Sequence, residues 1–523
     1  MDTRQFEKYN QISADKFAFA NKDTKLHDLK LDTKPVGFFR DAFNRFKKNK
    51  ASVVGAIIIL ILIVYAIIGP FCFDADYQAA YSTDNDLKKY QQLPPRISFM
   101  KGTGFWDGSK VKEYTEVQMY RLKGMYEEIG YNPVIKELGS EVVHDQFLGD
   151  KVVYKVRVDE YYLKGVFTKT LTAAQYKDIQ EWQSKPENQG LQVILPAVDT
   201  KLCPIYTVGG DALNYWFECD KKGRPNLDAD GNFKPAYVHV KYAGEDAYNS
   251  TRLANDPGTW SYAKVGGSDA APNYVVRLSA YNYFIYKFGY EPAFFFGTDN
   301  SGYDIFTRLA SGARFSLILA VVVSAINLTI GAIYGAIEGY FGGVVDMTME
   351  RISDILSGIP STVVTILFQL HLAAKVGVVG ALLFAFVMTG WIGMASRVRM
   401  QFYRFKNQEY VLAARTLGAT DWRIIWKHIF PNTLGTLITG SVLVIPGVIF
   451  SETSLSYLGI INLDSATMSS VGTMLSEGQK VMTTAPHVVL FPAIFIALLM
   501  ISFNIFGNGL RDAFNPSLRG TED

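Results

Sequence analysis

The sequence predicts an all-α polytopic membrane protein of about six transmembrane helices, with an α+β domain inserted between the first helix and the second. Composition supplies the first reason: 49% of the 523 residues are hydrophobic and 20% are charged. That balance is too apolar for a soluble enzyme and too charged for a chain lying wholly in lipid. Spacing supplies the second. Apolar runs fall at 51–70, 316–337, 352–372, 376–395, 433–450 and 488–506, each about long enough to cross a bilayer core at 1.5 Å per residue. Between the first two, residues 71–295 are polar and rich in Tyr, Trp and Gly. A formal net charge of only +2 argues against a nucleic-acid partner, because the basic residues gather at membrane edges.

Residues 1–50 form a polar segment that gathers Arg40, Arg45, Lys47, Lys48 and Lys50 just before the run at 51–70. With a long polar approach and no A-x-A-like site after it, this run reads as a signal anchor with its N-terminus inside the cell. Alternation then places the insert, 71–295, outside. Residues 296–510 form the membrane core, and a basic segment at 396–431 and the tail 511–523 fall inside. Charge agrees: 396–431 holds Arg397, Arg399, Arg404, Lys406, Arg415, Arg423 and Lys427, whereas the short outer loops hold little beyond Lys375 and Lys480.

Within the insert, residues 152–159 alternate strictly. Tyr154, Val156 and Val158 share one face, and Lys155, Arg157 and Asp159 the other, as in a half-buried strand. Thr172 and Gln175 form a capping box that opens a helix running to Ser184, before Pro186. Further extended segments are expected at 237–242 and 274–278. Cys203 and Cys219 can close one small loop in an oxidising exterior or remain two buried thiols, and no zinc-like spacing occurs. Asn226, Asp228, Asp230 and Gly231 mimic the start of a calcium loop, but Tyr237 stands where the bidentate Glu belongs, so an Asp-Gly hairpin turn is expected. His144 and His239 have no carboxylate spacing that makes a catalytic pair.

The stretch 409–432, EYVLAARTLGATDWRIIWKHIFPN, is polar and Gly-punctuated between apolar flanks. Ala413 and Ala414 allow close approach of another surface, Gly418 can stop a helix in the left-handed conformation, and a second amphipathic helix is expected to end where a span begins. This frame resembles the EAA loop of ABC-importer permeases, with Leu412 in place of the name-giving Glu and His428 in place of the usual Ile. The segment 296–317, FGTDNSGYDIFTRLASGARFSL, resembles a signature of the peptide and nickel branch of those permeases, with Tyr303 replacing the usual Arg. Its Gly297, Thr298, Asp299, Gly302, Asp304, Arg308, Gly312 and Arg314 are expected at the outer water interface, since unpaired charges stay out of lipid. They either fix the entry of the second span or contact substrate. Gly331, Gly335 and Gly339 recur every four residues and make a flat strip for close helix packing, against this subunit or a sister one. Pro360 stands inside a predicted span, where a kink either opens a cavity or is a harmless bend. The segments 452–459, 471–478 and 503–519 resemble the family's outer loop and C-terminus, with Val471 for a common Trp and Asn508 and Asn515 for the usual Asp.

The likeness covers about 295–519 and the basic approach to the first span. It implies the type I permease fold and the C-type permease subunit of an oligopeptide or dipeptide ABC importer, in a bacterial plasma membrane. By that resemblance the subunit is non-catalytic and binds no cofactor or metal directly. The sequence has no GxxxxGK[ST] loop, so ATP and Mg fall to partner ATPases. Partners implied are a sister permease, two ATPase subunits, an extracellular solute-binding lipoprotein, a peptide substrate and membrane lipid, with no nucleic acid. Coupling to the ATPases would involve Glu409, Tyr410, Ala413, Ala414, Arg415, Gly418, Ala419 and Pro431. The alternative is a membrane-anchored extracellular receptor or interaction domain without a transport role. A secondary transporter is disfavoured because Glu338, Asp354 and Glu452 all fall near predicted span ends. The insert lies outside the likeness and is expected to be a docking platform for the binding protein or a cap over the outer mouth, with a rigid spacer as the alternative.

Overall fold

A computed structural model of the chain describes residues 38–72, 85–145, 149–203, 215–238, 248–249, 260–268, 271–461, 463 and 469–514. The polar N-terminal segment before residue 38, His239 with the extended run after it, and Asn515 onward lie outside the described residues. Helix α1 (Phe38–Lys48) buries Ala42 and Phe46 and carries Arg45, Lys47 and Lys48 in its last turn. Helix α2 (Lys50–Cys72) is apolar throughout. One side, Ile59, Leu62 and Ala66, packs inward, while Val54, Ile57, Leu60, Ile61, Val64 and Ile68 face outward, as a lipid-facing helix requires.

The insert is a mixed α+β unit. Its elements are β1 (Ser109–Thr115), α3 (Glu116–Ile129), β2 (Val134–Asp145), β3 (Gly149–Asp159), β4 (Val166–Thr172), α4 (Ala173–Ser184), β5 (Ile194–Leu195), β6 (Tyr248–Asn249), β7 (Ala263–Ser268), β8 (Ala271–Ser279) and α5 (Ala280–Phe288). One antiparallel sheet has the order β1-β3-β2, with Ser109 opposite Asp159 and Val142 opposite Val152. The other runs β4-β8-β7-β6, with β5 also paired to β8. The alternation read from the sequence holds as far as Val158: Val156 and Val158 are fully buried, each worth about 1.5–3 kcal/mol over exposure. Asp159, expected on the polar face, is buried too, 3.6 Å from the buried Arg96. The Thr172–Gln175 capping box opens α4 as expected, and α4 ends at Ser184. A buried ion pair, Arg277 with Glu128 at 2.8 Å, ties β8 to α3. Cys203 and Cys219 are both buried, with their sulfurs 2.8 Å apart. Residues 226–232 form the expected turn: Asp228 Oδ1 accepts from the amides of Asp230 and Asn232, and Gly231 has φ +82°. Of the extended segment expected at 237–242, only Tyr237 and Val238 are among the described residues, and Tyr237 forms an isolated bridge to Val198.

The membrane core comprises α6 (Ile305–Phe341), α7 (Gly343–Ser357), α8 (Ser361–His371), α9 (Ala373–Gly390), α10 (Ile392–Phe405), α11 (Glu409–Thr416), α12 (Asp421–Tyr457), α13 (Val471–Gln479) and α14 (His487–Phe514). Helices α2, α6, the α9–α10 run, α12 and α14 are each long and apolar enough to span, and α7 with α8, bent by 72° at their break, reach that length and apolarity only as a pair. The run 352–372 is therefore a broken pair, not one kinked helix. The break falls at Gly358–Pro360, because Pro360 cannot continue the amide ladder of α7 and instead stands at the N-cap of α8.

Three boundaries differ from the hydropathy reading. Residues 396–405 belong to the helical run of α10, because Val398 and Phe402 are buried against α6 while the interspersed arginines lie at the helix surface. The second amphipathic helix does not end before the fourth long span: it continues into it as α12 through a π segment at Ile424–Ile429, with Pro431 just after that segment. Helix α14 likewise reaches Phe514, past the expected edge at 510. The glycine strip finds its neighbour within this chain. A Cβ at Gly331, Gly335 or Gly339 would stand 2.7, 2.1 or 2.7 Å from α10 atoms, so only hydrogen at these positions lets α6 and α10 meet.

Candidate coupling surface and membrane path

Helix α11 is eight residues long and ends as the sequence requires. Gly418 has φ +81°, its amide donates to the Arg415 carbonyl, and the Ala419 amide donates to Ala414 at 3.1 Å, a left-handed stop that a Cβ disfavours. Val411 and Ala414 turn inward, against the core that includes Ile424, Ile425 and Ile429. Glu409, Tyr410, Ala413, Arg415 and Gly418 are exposed, Ala419 is half-buried, and Pro431 is exposed at the start of the membrane part of α12. Ala414 is thus a packing residue of this chain rather than part of the outer face. In its place the surface presents Leu412, Trp422 and Leu417, the last 88% exposed. Sequence reading named Leu412 only as a departure from the motif and did not single out Leu417 or Trp422. Their signal was present, since large apolar side chains in a charged segment have no reason to be exposed unless something covers them.

This surface is wired to the second span. Tyr340, at the end of α6, donates its hydroxyl to Asp421, and Arg415 Nη2 reaches Tyr340 at 3.4 Å. Nearby, Arg399 of α10 holds Asp346 through two bonds of 2.6 and 3.0 Å and Glu350 at 2.8 Å, with the buried Glu338 at 3.6 Å. Three carboxylates gather here, and the guanidinium among them supplies the compensating positive charge.

At the opposite end, the 297–314 motif is a knot between the insert and α6. Thr298 accepts from the Leu93 amide at 2.8 Å, donates to the Tyr90 carbonyl, and returns its own amide to Leu93. Gly297 has φ +79°, and a Cβ there would meet the Leu93 carbonyl and the His487 ring. Asp299 Oδ1 accepts the amides of Ser301, Gly302 and Tyr303, and Oδ2 takes Arg308. Tyr303, which stands where an Arg is usual, offers its ring to Arg308 at 4.4 Å. Asp304 caps α6 through the amides of Phe306 and Thr307, and burial raises its carboxyl to a pKa of about 6. Gly312 lets α13 approach, with Ser470 and Val471 backbone 3.1 and 3.2 Å from where its Cβ would be. Arg314 lies apart from this knot, with its guanidinium 5.9 Å from the Phe71 ring. The knot's polar contacts join the 90–93 segment of the insert to the entry of α6.

Sequence reading set Glu452 near a span end, which its place in the last turns before Tyr457 bears out, but it missed the burial of this carboxylate and did not single out Asn327. Glu452 is fully buried in α12, where Ser316 and Ser456 donate to its carboxylate at 2.9 and 3.0 Å. Asn327 of α6 is buried and borders a cavity of about 500 Å³ between α6, α8, α9 and α12. Pro360 therefore does stand beside a cavity, whose floor includes Ser361 and Thr362.

Comparison with known proteins gives two family matches. Residues 327–520 match the family described as binding-protein-dependent transport system inner membrane component, and residues 37–95 match the N-terminal transmembrane domain of oligopeptide transport permease C. The chain is 45% identical over 224 residues to the oligopeptide transport system permease protein OppC of Bacillus subtilis (strain 168), covering 43% of this chain and 72% of that one. It is 43% identical over 225 residues to the dipeptide transport system permease protein DppC of the same organism, covering 43% and 69%. Among solved structures, a chain of the inward-facing MetNI methionine ABC transporter aligns with 40% of this chain and 96% of its own length, at 16% identity and a TM-score of 0.34.

Proposed function

The chain belongs to the inner-membrane components of binding-protein-dependent transport systems, in the oligopeptide permease C branch, and from that premise we propose that its cargo is oligopeptides or dipeptides. It is the translocation subunit of an ABC importer, a multi-pass protein of the bacterial plasma membrane, and works with ATPase and substrate-binding partners. The observation that carries the cargo is the 45% and 43% identity to an oligopeptide and a dipeptide permease over 224 and 225 residues.

We further propose an assembly of this chain, a sister permease, two ATPase subunits and a solute-binding lipoprotein, with ATP and Mg held by the ATPases and no catalysis here. Helix α11, with Leu412, Leu417 and Trp422 outward, suits a groove in an ATPase. Closure of the ATPases would push it as a rigid body and tilt α6 and α12 through Tyr340 and Asp421. The exposed apolar side chains of α7 and α8, such as Met347, Ile355 and Leu370, suit a sister permease. The insert, placed outside by the signal-anchor reading, sits over α13 and the start of α14: Lys110 Nζ donates to the Thr484 carbonyl at 3.0 Å, and Trp106 packs on Phe491. That position suits docking of the binding protein beside the outer mouth.

The test is uptake of a labelled peptide by proteoliposomes holding the affinity-purified complex. Import that needs ATP and the binding protein, with a Walker-A subunit copurified, supports the reading. A complex without such a subunit, or one that imports no peptide, overturns it.

A further inference from the structure

Asn327 is an anomaly for a membrane span. It sits well inside α6, is 3% exposed, and donates Nδ2 to the Phe386 carbonyl at 3.4 Å, while its Oδ1 has no partner among the described residues. Turning the amide over would set oxygen against the Phe386 carbonyl, so the acceptor is the atom left over. A buried, unpaired amide oxygen is left with its desolvation cost uncompensated and calls for an explanation. The surroundings make room for this side chain: a Cβ at Gly390 would lie 2.3 Å from its Nδ2. The cavity that Asn327 borders also receives the start of α8. That helix begins after Pro360 with no side-chain cap, and the Val363 and Val364 amides return to the Pro360 carbonyl, so the Ser361 and Thr362 amides precede the first intrahelical acceptor. No charged side chain lines the cavity, whose polar lining is hydroxyl and amide.

We propose that this cavity is a binding station for the backbone of the passing peptide. Asn327 Oδ1 accepts a peptide N–H, and the Ser361 and Thr362 end of α8 donates to a peptide C=O. An acceptor set beside donors matches what every peptide unit offers whatever its side chain, and a neutral lining neither selects nor repels charged residues. The station rests on the peptide-cargo reading above and names the part of the cargo that the membrane core reads.

The test uses the complete transporter with its partners in proteoliposomes. Two cargoes are compared: tri-alanine, and its analogue with one backbone N–H replaced by an ester oxygen. Asn327→Leu should slow tri-alanine import about tenfold, the scale of one lost hydrogen bond in a dry site, and should shrink the preference for the amide over the ester. Selection by the binding protein is common to wild type and variant and cancels. Gly447→Leu is the second variant, since Gly447 lines the cavity and its Cβ would meet nothing within 4 Å. It should slow import while the subunits still copurify. Wild-type import of tri-alanine with unchanged rate and preference in Asn327→Leu, or with an unchanged rate in Gly447→Leu, overturns the station alone. A wild-type complex that imports no peptide overturns the cargo reading and the station with it.

Discussion

Tyr340 donates its phenolic hydroxyl to a carboxylate oxygen of Asp421 at 2.5 Å, joining the last turn of α6 to the first turn of α12 across 81 residues of sequence. The bond crosses from the helix held by the insert to the helix that follows α11. If α11 drives the spans, this is one of the struts that carries the motion.

Tyr340→Phe keeps the ring and removes the strut. Asp421 is exposed, so the loss in stability should be only about 1.5 kcal/mol, the low end for a bond to a charged group. The expected outcome is a complex that assembles and hydrolyses ATP but imports less peptide per ATP, measured by parallel uptake and phosphate release. An unchanged ratio removes Tyr340 from the coupling route.

Gly335→Leu should be far more damaging. Even a Cβ at Gly335 would stand 2.1 Å from the Ala395 carbonyl oxygen, and overpacking a fixed helix contact typically costs about 1–3 kcal/mol or more. Loss of α6–α10 packing should lower the membrane-inserted yield and the Tm of the purified complex. Wild-type yield and Tm would contradict the packing described.

Asp304 makes stability depend on pH. Its folded pKa of about 6 lies above the value of 3.8 for an ordinary aspartate, so the folded chain binds this proton more tightly than the unfolded one. Stability from this group is greatest below pH 4 and falls as pH rises to about 6, by roughly 3 kcal/mol in the linkage limit. Asp304→Asn retains an oxygen that can cap α6 but cannot titrate. Thermal melts between pH 4 and 7 should therefore show a shallower fall for the variant, and a slope identical to wild type would contradict the burial account.

Much of this architecture was legible in the sequence. Apolar runs located the spans, and the Thr172–Gln175 box, the 152–159 alternation and the Gly418 stop act through short-range geometry that a linear reading captures. Where helices end was less legible, because Arg399 lowers local hydropathy yet sits in a continuous helix once Asp346 and Glu350 pair with it. Orientation was the other gap. Ala414 and Leu417 lie three residues apart on one short segment, and only the packing of α11 on Ile424 and Ile425 decides that Ala414 is inside and Leu417 out. The same holds for Glu452 and Asn327, whose neighbours Ser316 and Gly390 are distant in sequence.

The measurement that bears most directly on the account is photo-crosslinking from position 417 in the assembled complex. With a photoreactive side chain replacing Leu417, the account predicts a crosslink to the ATPase subunit, changed in yield when ATP is bound, while the same group at the lipid-facing Leu60 of α2 gives none. A copurified ATPase that is never crosslinked from position 417, with or without ATP, would contradict the assignment of α11 as the coupling helix.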